Sequence, residues 1–259
     1  ILSASGPYSG HLVRPSDKSE PEKIAWLQCV GSRDTHVGAR GYCSGVCCTY
    51  AVKEAILAKE HSKNGLDAAI FYIDVRTFGK DFERYYNKAK YDLGVRFVKS
   101  RIHSVDEVGD TGNLSVRYMD DAGNLQVEEF DMVVLSVGVI PPKDLDKISG
   151  MLTLSKTSDG FFMESHPKLK PVDAPTRGVH FAGFCESPKD IKDSVTQASA
   201  AAARANILMA QGQITSEITS TVMFIVAPSI PIEVNPTHRD RLRVLLEKHL
   251  RQLHLEVAV

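Results

Sequence analysis

The stretch IAWLQCVGSRDTHVGARGYCSGVCCTYAVKEAILAKEH, residues 24–61, places Cys29, Cys43, Cys47 and Cys48 within twenty residues of one another. Only Cys185 lies elsewhere in the chain. An apolar run at 24–27 reads as a strand, and a Gly-rich polar loop follows from Gly31 to Gly45. Residues 46–61 then carry apolar side chains near the helical period. Cys29 therefore ends a strand, Cys43 ends a loop, and Cys47 and Cys48 fall in the first turn of a helix. Thiolates at such a place are stabilised by the helix dipole and by free backbone N–H groups.

Four thiols so placed suit a 4Fe-4S cluster or a zinc ion. Adjacent cysteines differ from the C-x₂₋₄-C knuckles of structural zinc and from the ferredoxin run. Two disulfides or a set of buried free thiols is the structural alternative.

The remaining pattern places the loop at the end of a sheet strand. Residues 67–75 and 95–99 read as further strands and 82–93 as a helix closed by Gly94. Alternating strands and helices predict an α/β fold with a Rossmann-like parallel sheet. Short strands at 102–108, 114–120 and 126–130 predict an antiparallel β-meander. Residues 131–137 form an apolar strand ended by Gly138, and 143–149 a helix. Residues 178–182 read as a buried strand ended by Gly183, followed by a loop and an alanine-rich helix over 191–210. Ala198, Ala200, Ala201 and Ala202 suit close packing of that helix on a sheet. Residues 221–226 suit a strand and 240–253 an amphipathic helix, while His238, His249 and His254 suit a solvated face.

The expected division is a connector at 1–21, a Rossmann-like domain with the cysteines at 22–130, part of a second α/β domain at 131–210, and a tail with an amphipathic helix at 211–259. The net charge of −1 gives no basic field for nucleic acid. No apolar run reaches the roughly 18–20 residues of a transmembrane helix. Clustered cysteines without a secretory signal fit a reducing, cytoplasmic setting. Neither a Ser–His–Asp set nor a C-x-x-C pair offers an independent catalytic centre.

The segments LQCVGSRD, YCSGVCCTYAVKEAILAKEH, FYIDVRTFGKDFERYYNKAKYDLGVRF, FDMVVLSVGVIPP and GVHFAGFCESPKDIKDSVTQASAAAARA together resemble the flavin and iron–sulfur (A-type) component of heterodisulfide reductase. The resemblance covers residues 1–210. It implies that Cys29, Cys43, Cys47 and Cys48 ligate a 4Fe-4S cluster in a non-standard arrangement. The family often has arginine where this chain has Gly45, a position expected to leave the ligands untouched. Pyridine nucleotide is then not expected at the first strand–helix turn, which the cysteines fill.

The resemblance also makes residues 131–210 the C-terminal part of a flavin-binding domain, with 211–259 a tail that departs from the family, and it implies FAD, approached by Gly138 and Gly183. Lys189 supplies positive charge near the ring, and Asp190, Ile191 and Gln197 supply edge contacts. No G-x-G-x-x-G occurs, and the chain begins with Ile1, so it reads as a fragment without the family's N-terminal flavin-binding half. The implied function is an electron-relay component of a heterodisulfide-reductase-like oxidoreductase, as in methanogenesis. Other subunits, a ferredoxin or hydrogenase-type donor, and a second copy of the chain are the implied partners. A pyridine-nucleotide-dependent disulfide oxidoreductase and a non-enzymatic, metal-stabilised binding domain are the alternatives.

Overall fold

The eight residues KIAWLQCV form the strand β1, Lys23–Val30, and six of them are buried. Such a run is apolar on both faces, as a central parallel strand requires. In the computed structural model, which describes residues 1–212 apart from Val37 and Ala39, β1 is paired on both edges. On one side runs β2, Asp67–Tyr72, and beyond it β3, Arg96–Lys99. The meander follows as β4 (Val105–Val108), β5 (Asn113–Met119) and β6 (Leu125–Phe130). The chain then returns as β7, Met132–Val137, on the other edge of β1. All three pairings in the sheet β3-β2-β1-β7 are parallel, and those in β4-β5-β6 are antiparallel.

Helix α1, Cys47–His61, covers one face of the parallel sheet. Its buried positions Ala51, Val52, Ala55, Ile56 and Ala58 fall on one stripe. They meet Ile24 and Trp26 of β1 and Ala68 and Ile70 of β2. Trp26 donates through Nε1 to Glu54 Oε2 at 3.1 Å, which satisfies its buried N–H. The opposite face takes Ala25, Leu27 and Phe71 against Val116 and Phe130 of the meander. Each large side chain so buried contributes about 1.5–3 kcal/mol.

The helix expected over 82–93 is α2, Phe82–Asn87, continued by a π-helical turn, Lys88–Asp92, in which Ala89 is buried. Gly94, at φ +65°, follows it in the left-handed conformation expected there. The opening segment has no helix or strand, but it is not simply a surface connector. Leu12 is buried in the α1 core, and Arg14 Nη2 donates to Gly112 O at 2.9 Å. The strand 132–137, expected to open the flavin-binding part, instead extends the sheet that carries the cysteines. Its near-continuous apolar character suits that edge as well.

Among the described residues, 1–140 with 188–190 form one compact unit, and 141–187 with 191–212 form another. The second unit contains α3, Leu145–Leu152, and α4, Ile191–Gln211. Its core is Leu145, Leu154, Phe162, Ala174 and Phe181, with Phe162 and Phe181 stacked at 5.2 Å. Two expectations fail here. Residues 178–182 form no strand, only an isolated bridge between Asp173 and His180, because no parallel neighbour runs beside them among the described residues. Nor does α4 pack its alanines on a sheet. Ala201 alone is buried, while Ala198, Ala200 and Ala202 are exposed. The strand and helix expected beyond residue 212, and the three histidines there, lie outside the described residues. Among the described residues no helix is long and apolar enough to cross a membrane.

Asp173 ties the second unit together. It accepts from His180 Nδ1 at 2.8 Å and from Arg204 Nε at 3.1 Å. Burial pushes its carboxyl up, but the Arg204 and His180 contacts outweigh burial and hold it below its ordinary value. Asp173→Asn is expected to cost about 1–3 kcal/mol at neutral pH. A depressed folded pKa stabilises above the unfolded value of 3.8 and stops doing so as pH falls through the folded value. The gap between parent and variant in denaturant midpoint should therefore be constant above that range and close below it. A gap that persists at the acid end would contradict the assignment.

Candidate functional site

Pairing of β1 with β7 is regular through Leu27↔Leu135 and resumes at Val30↔Val137. One extra residue on β1 makes a bulge there, and Cys29 takes φ +61°. A non-glycine residue in that conformation costs about 1–3 kcal/mol. Bulges of this kind re-aim a side chain at the edge of a site. Cys29 is buried and faces the same pocket as Cys43, Cys47 and Cys48. Arg33, Asp74 and Arg76 also line this pocket. All four thiols are free.

The loop that carries Cys43 is anchored by two buried serines. Ser32 Oγ and Ser44 Oγ lie 2.8 Å apart, and Val139 N donates to Ser44 Oγ at 2.9 Å. Tyr42 donates to Val139 O at 2.8 Å. These bonds fasten both ends of the loop to the end of β7. Gly138 stands at this junction, and a Cβ on it would run into Ser32 Oγ and lie 2.8 Å from Ser44 Oγ. The geometry therefore gives Gly138 a role on the wall of the cysteine loop. Gly45, expected to leave the ligands untouched, instead donates its amide to Cys43 Sγ at 3.4 Å and has φ +71°.

The adjacent cysteines point apart. Cys47 Sγ lies 3.9 Å from Val137 O, at the end of β7, and Cys48 Sγ lies 3.8 Å from Asp74 O, just past β2. Successive helical residues diverge by roughly 100° about the axis, so adjacency sends the two thiols to opposite walls. Tyr50 donates to Val137 O at 2.9 Å and braces the Cys47 side.

The expected lowering of the thiols by the helix N-terminus does not prevail. Burial pushes up Cys29 and Cys47, and it pushes Cys48 up to about 11. The pocket walls remove water from the sulfurs, and that penalty exceeds the local dipole.

Among the described residues, no three His, Cys, Asp or Glu side chains converge closely enough to hold one metal ion. The four thiols share a pocket without meeting at a point.

The residues expected at a flavin divide differently. Gly183, at φ +78°, opens a 3₁₀ turn, and its amide donates to Gln197 Oε1 at 2.7 Å. Gln197 Nε2 in turn donates to Glu186 Oε2 at 3.1 Å. Ile191, the first residue of α4, is 85% exposed. Lys189 and Asp190 belong to the segment 188–190, which groups with the first unit. Gly183 and Gln197 are thus brought together, whereas Gly138 lies at the cysteine loop.

Arg33, Asp74, Arg76 and the serine pair were not singled out from the sequence. Asp74 and Arg76 follow β2 directly, and residues just beyond the carboxyl ends of parallel strands are where such folds build sites. That positional signal was present in the sequence. The serine pair left none.

No protein-family model matches the chain. Curated relatives do. The chain is 48% identical over 219 residues to an A-type iron–sulfur subunit of the CoB–CoM heterodisulfide reductase of Methanopyrus kandleri, covering 84% of this chain and 33% of that protein. It is 44% identical over 218 residues to the A-type subunit of the H₂:CoB–CoM heterodisulfide, ferredoxin reductase of Methanothermobacter thermautotrophicus, again covering 84% and 33%. The chain spans about a third of the length of these relatives. Among solved structures, LpdA from Mycobacterium tuberculosis is a loose likeness, with TM-score 0.44 and 12% identity over 78% of this chain and 39% of that one.

Gly138→Ala is expected to lower the melting temperature by several degrees, since the new methyl meets two buried hydroxyls. Adding Ser32→Ala removes the closer oxygen and should recover part of the loss. An unaltered melting temperature in the single variant would contradict the packing described.

Proposed function

We propose, for a chain that belongs to the A-type family of heterodisulfide reductase subunits over about a third of their length, that it is an electron-transfer part of an oxidoreductase and that Cys29, Cys43, Cys47 and Cys48 hold a 4Fe-4S cluster. The observation that carries this is the single pocket lined by all four thiols. A zinc ion draws its sulfurs to about 2.3 Å from one centre. A cube is several bonds across, so its thiolate ligands stand farther from one another. Four thiols that share a pocket without converging suit the larger guest. The divergence of Cys47 and Cys48 toward opposite walls suits it too.

When bound, such a cluster takes up and releases electrons one at a time. The chain's own residues do the rest. The β1 bulge holds Cys29 in place at a cost in backbone strain. The Ser32–Ser44 pair fixes the loop that presents Cys43, and the Gly45 amide donates to that sulfur. Burial keeps water from the sulfurs, and each thiol that becomes a ligand gives up its proton.

The FAD part of the proposal rests on the family and on the start of α4. Gly183 and Gln197 stand together there, and Ile191 presents an open apolar surface. Lys189 and Asp190 precede the helix directly. The other subunits of a heterodisulfide-reductase-like complex, with a ferredoxin or hydrogenase-type donor, are the proposed partners. A cytoplasmic location is proposed on the same basis.

Reduced with dithionite in the absence of oxygen, the chain should give a low-temperature electron paramagnetic resonance signal of a 4Fe-4S cluster. The signal should vanish in Cys47→Ser and in Cys48→Ser while the far-ultraviolet circular dichroism is unchanged. A signal retained in both variants, or absent from the folded parent chain, would sink the proposal.

A further inference from the structure

Three charged side chains stand on the β2 side of the cysteine pocket. Arg33 reaches across from the loop and grips Asp74 with both arms, Nη1 to Oδ1 at 2.5 Å and Nη2 to Oδ2 at 3.0 Å. Arg76 binds the same carboxylate from the other side, Nε to Oδ1 at 3.0 Å and Nη2 to Oδ2 at 3.4 Å. All three residues line the pocket. Both guanidinium groups therefore stand in the lining that also holds Cys29, Cys43, Cys47 and Cys48.

Two cations on one anion leave the wall with a net positive charge. A single arginine would have neutralised Asp74, so an ion pair alone does not account for the second. The surplus charge therefore has no partner of opposite sign in this triad. A cluster held by four thiolates is dianionic when oxidised and trianionic after gaining one electron. Attraction to a fixed positive charge grows with that gain, and it acts at short range in a pocket partly closed to water.

We propose that Arg33 and Arg76, held on the shared Asp74 carboxylate, are positioning residues that compensate the charge of the cluster and raise its reduction potential. The inference rests on the cluster assignment to the four cysteines. The step concerned is uptake of one electron from an external low-potential donor, with no bond made or broken. The donor is oxidised by one electron and the cluster reduced by one. Asp74 sets how far each guanidinium stands from the sulfurs, and it offsets part of their charge.

The test is a redox titration of the full chain, purified without oxygen, against dithionite-poised mediators and followed by electron paramagnetic resonance. Iron is counted on every sample. Arg76→Gln and Arg33→Gln should lower the midpoint potential, and Arg76→Lys should hold it near the parent value. Asp74→Asn should move the midpoint the opposite way, because it unmasks both cations. Arg117→Gln, on the meander, serves as a charge control and should leave the midpoint in place.

Opposite shifts for Arg76→Gln and Asp74→Asn at equal iron content support the proposal, since a purely structural clamp gives no such change of sign. Equal midpoints in all variants at full iron overturn it and leave the cluster assignment standing. Shifts of the same sign in Arg76→Gln and Asp74→Asn also overturn it. If Arg76→Gln loses its iron, recovery in Arg76→Lys supports charge compensation, and no recovery overturns it. Absence of iron from the folded parent chain overturns the cluster assignment and the inference together.

Discussion

Strand β1 is hydrogen-bonded on both edges and covered on both faces, and the cysteine pocket begins where that strand stops being regular. Up to Leu27 its register against β2 and β7 leaves no freedom. A slip by one residue would drive Trp26 and Leu27 to the wrong cores. The bulge then adds one residue on the β7 side and turns Cys29 into the left-handed region. From there the chain can leave the sheet, form the loop that presents Cys43, and return to the sheet end as α1. Without the fixed register the four sulfurs would have no common wall.

Two effects compete at that wall, and burial wins over the helix dipole. The dipole at the start of α1 favours thiolates by about 0.3–1 kcal/mol. Desolvation works against them harder, and Cys48 rises to about 11. The same enclosure strengthens every charge placed beside the sulfurs. Arg33, Asp74 and Arg76 therefore act on a site that is already short of water.

The sequence carried the sheet more clearly than the site. Runs such as IAWL and AAIFY are apolar on both faces, and the intervening helical period could only belong to a crossover. The glycine turns at Gly112 and Gly123 made the meander equally plain. What separated Cys29 from an ordinary strand residue was a positive φ, and no residue type announces that. The Ser32–Ser44 hydroxyl pair is likewise invisible, because it joins loop positions twelve apart through a fold-dependent approach. Residues 178–182 show the converse. Their composition suits a buried strand, yet strand formation needs a neighbour with free backbone groups, and the described residues supply only a single bridge. The alanines of α4 misled for the same reason: small residues permit close packing but do not create the surface to pack on.

The central claim is that the four thiols hold a cube and not a single ion. Its most direct measurement is the content of iron, acid-labile sulfide and zinc in the chain purified without oxygen. The account predicts about four irons and about four sulfides per chain with no zinc. Stoichiometric zinc, or a folded chain that binds no metal after reconstitution with iron and sulfide, would contradict it.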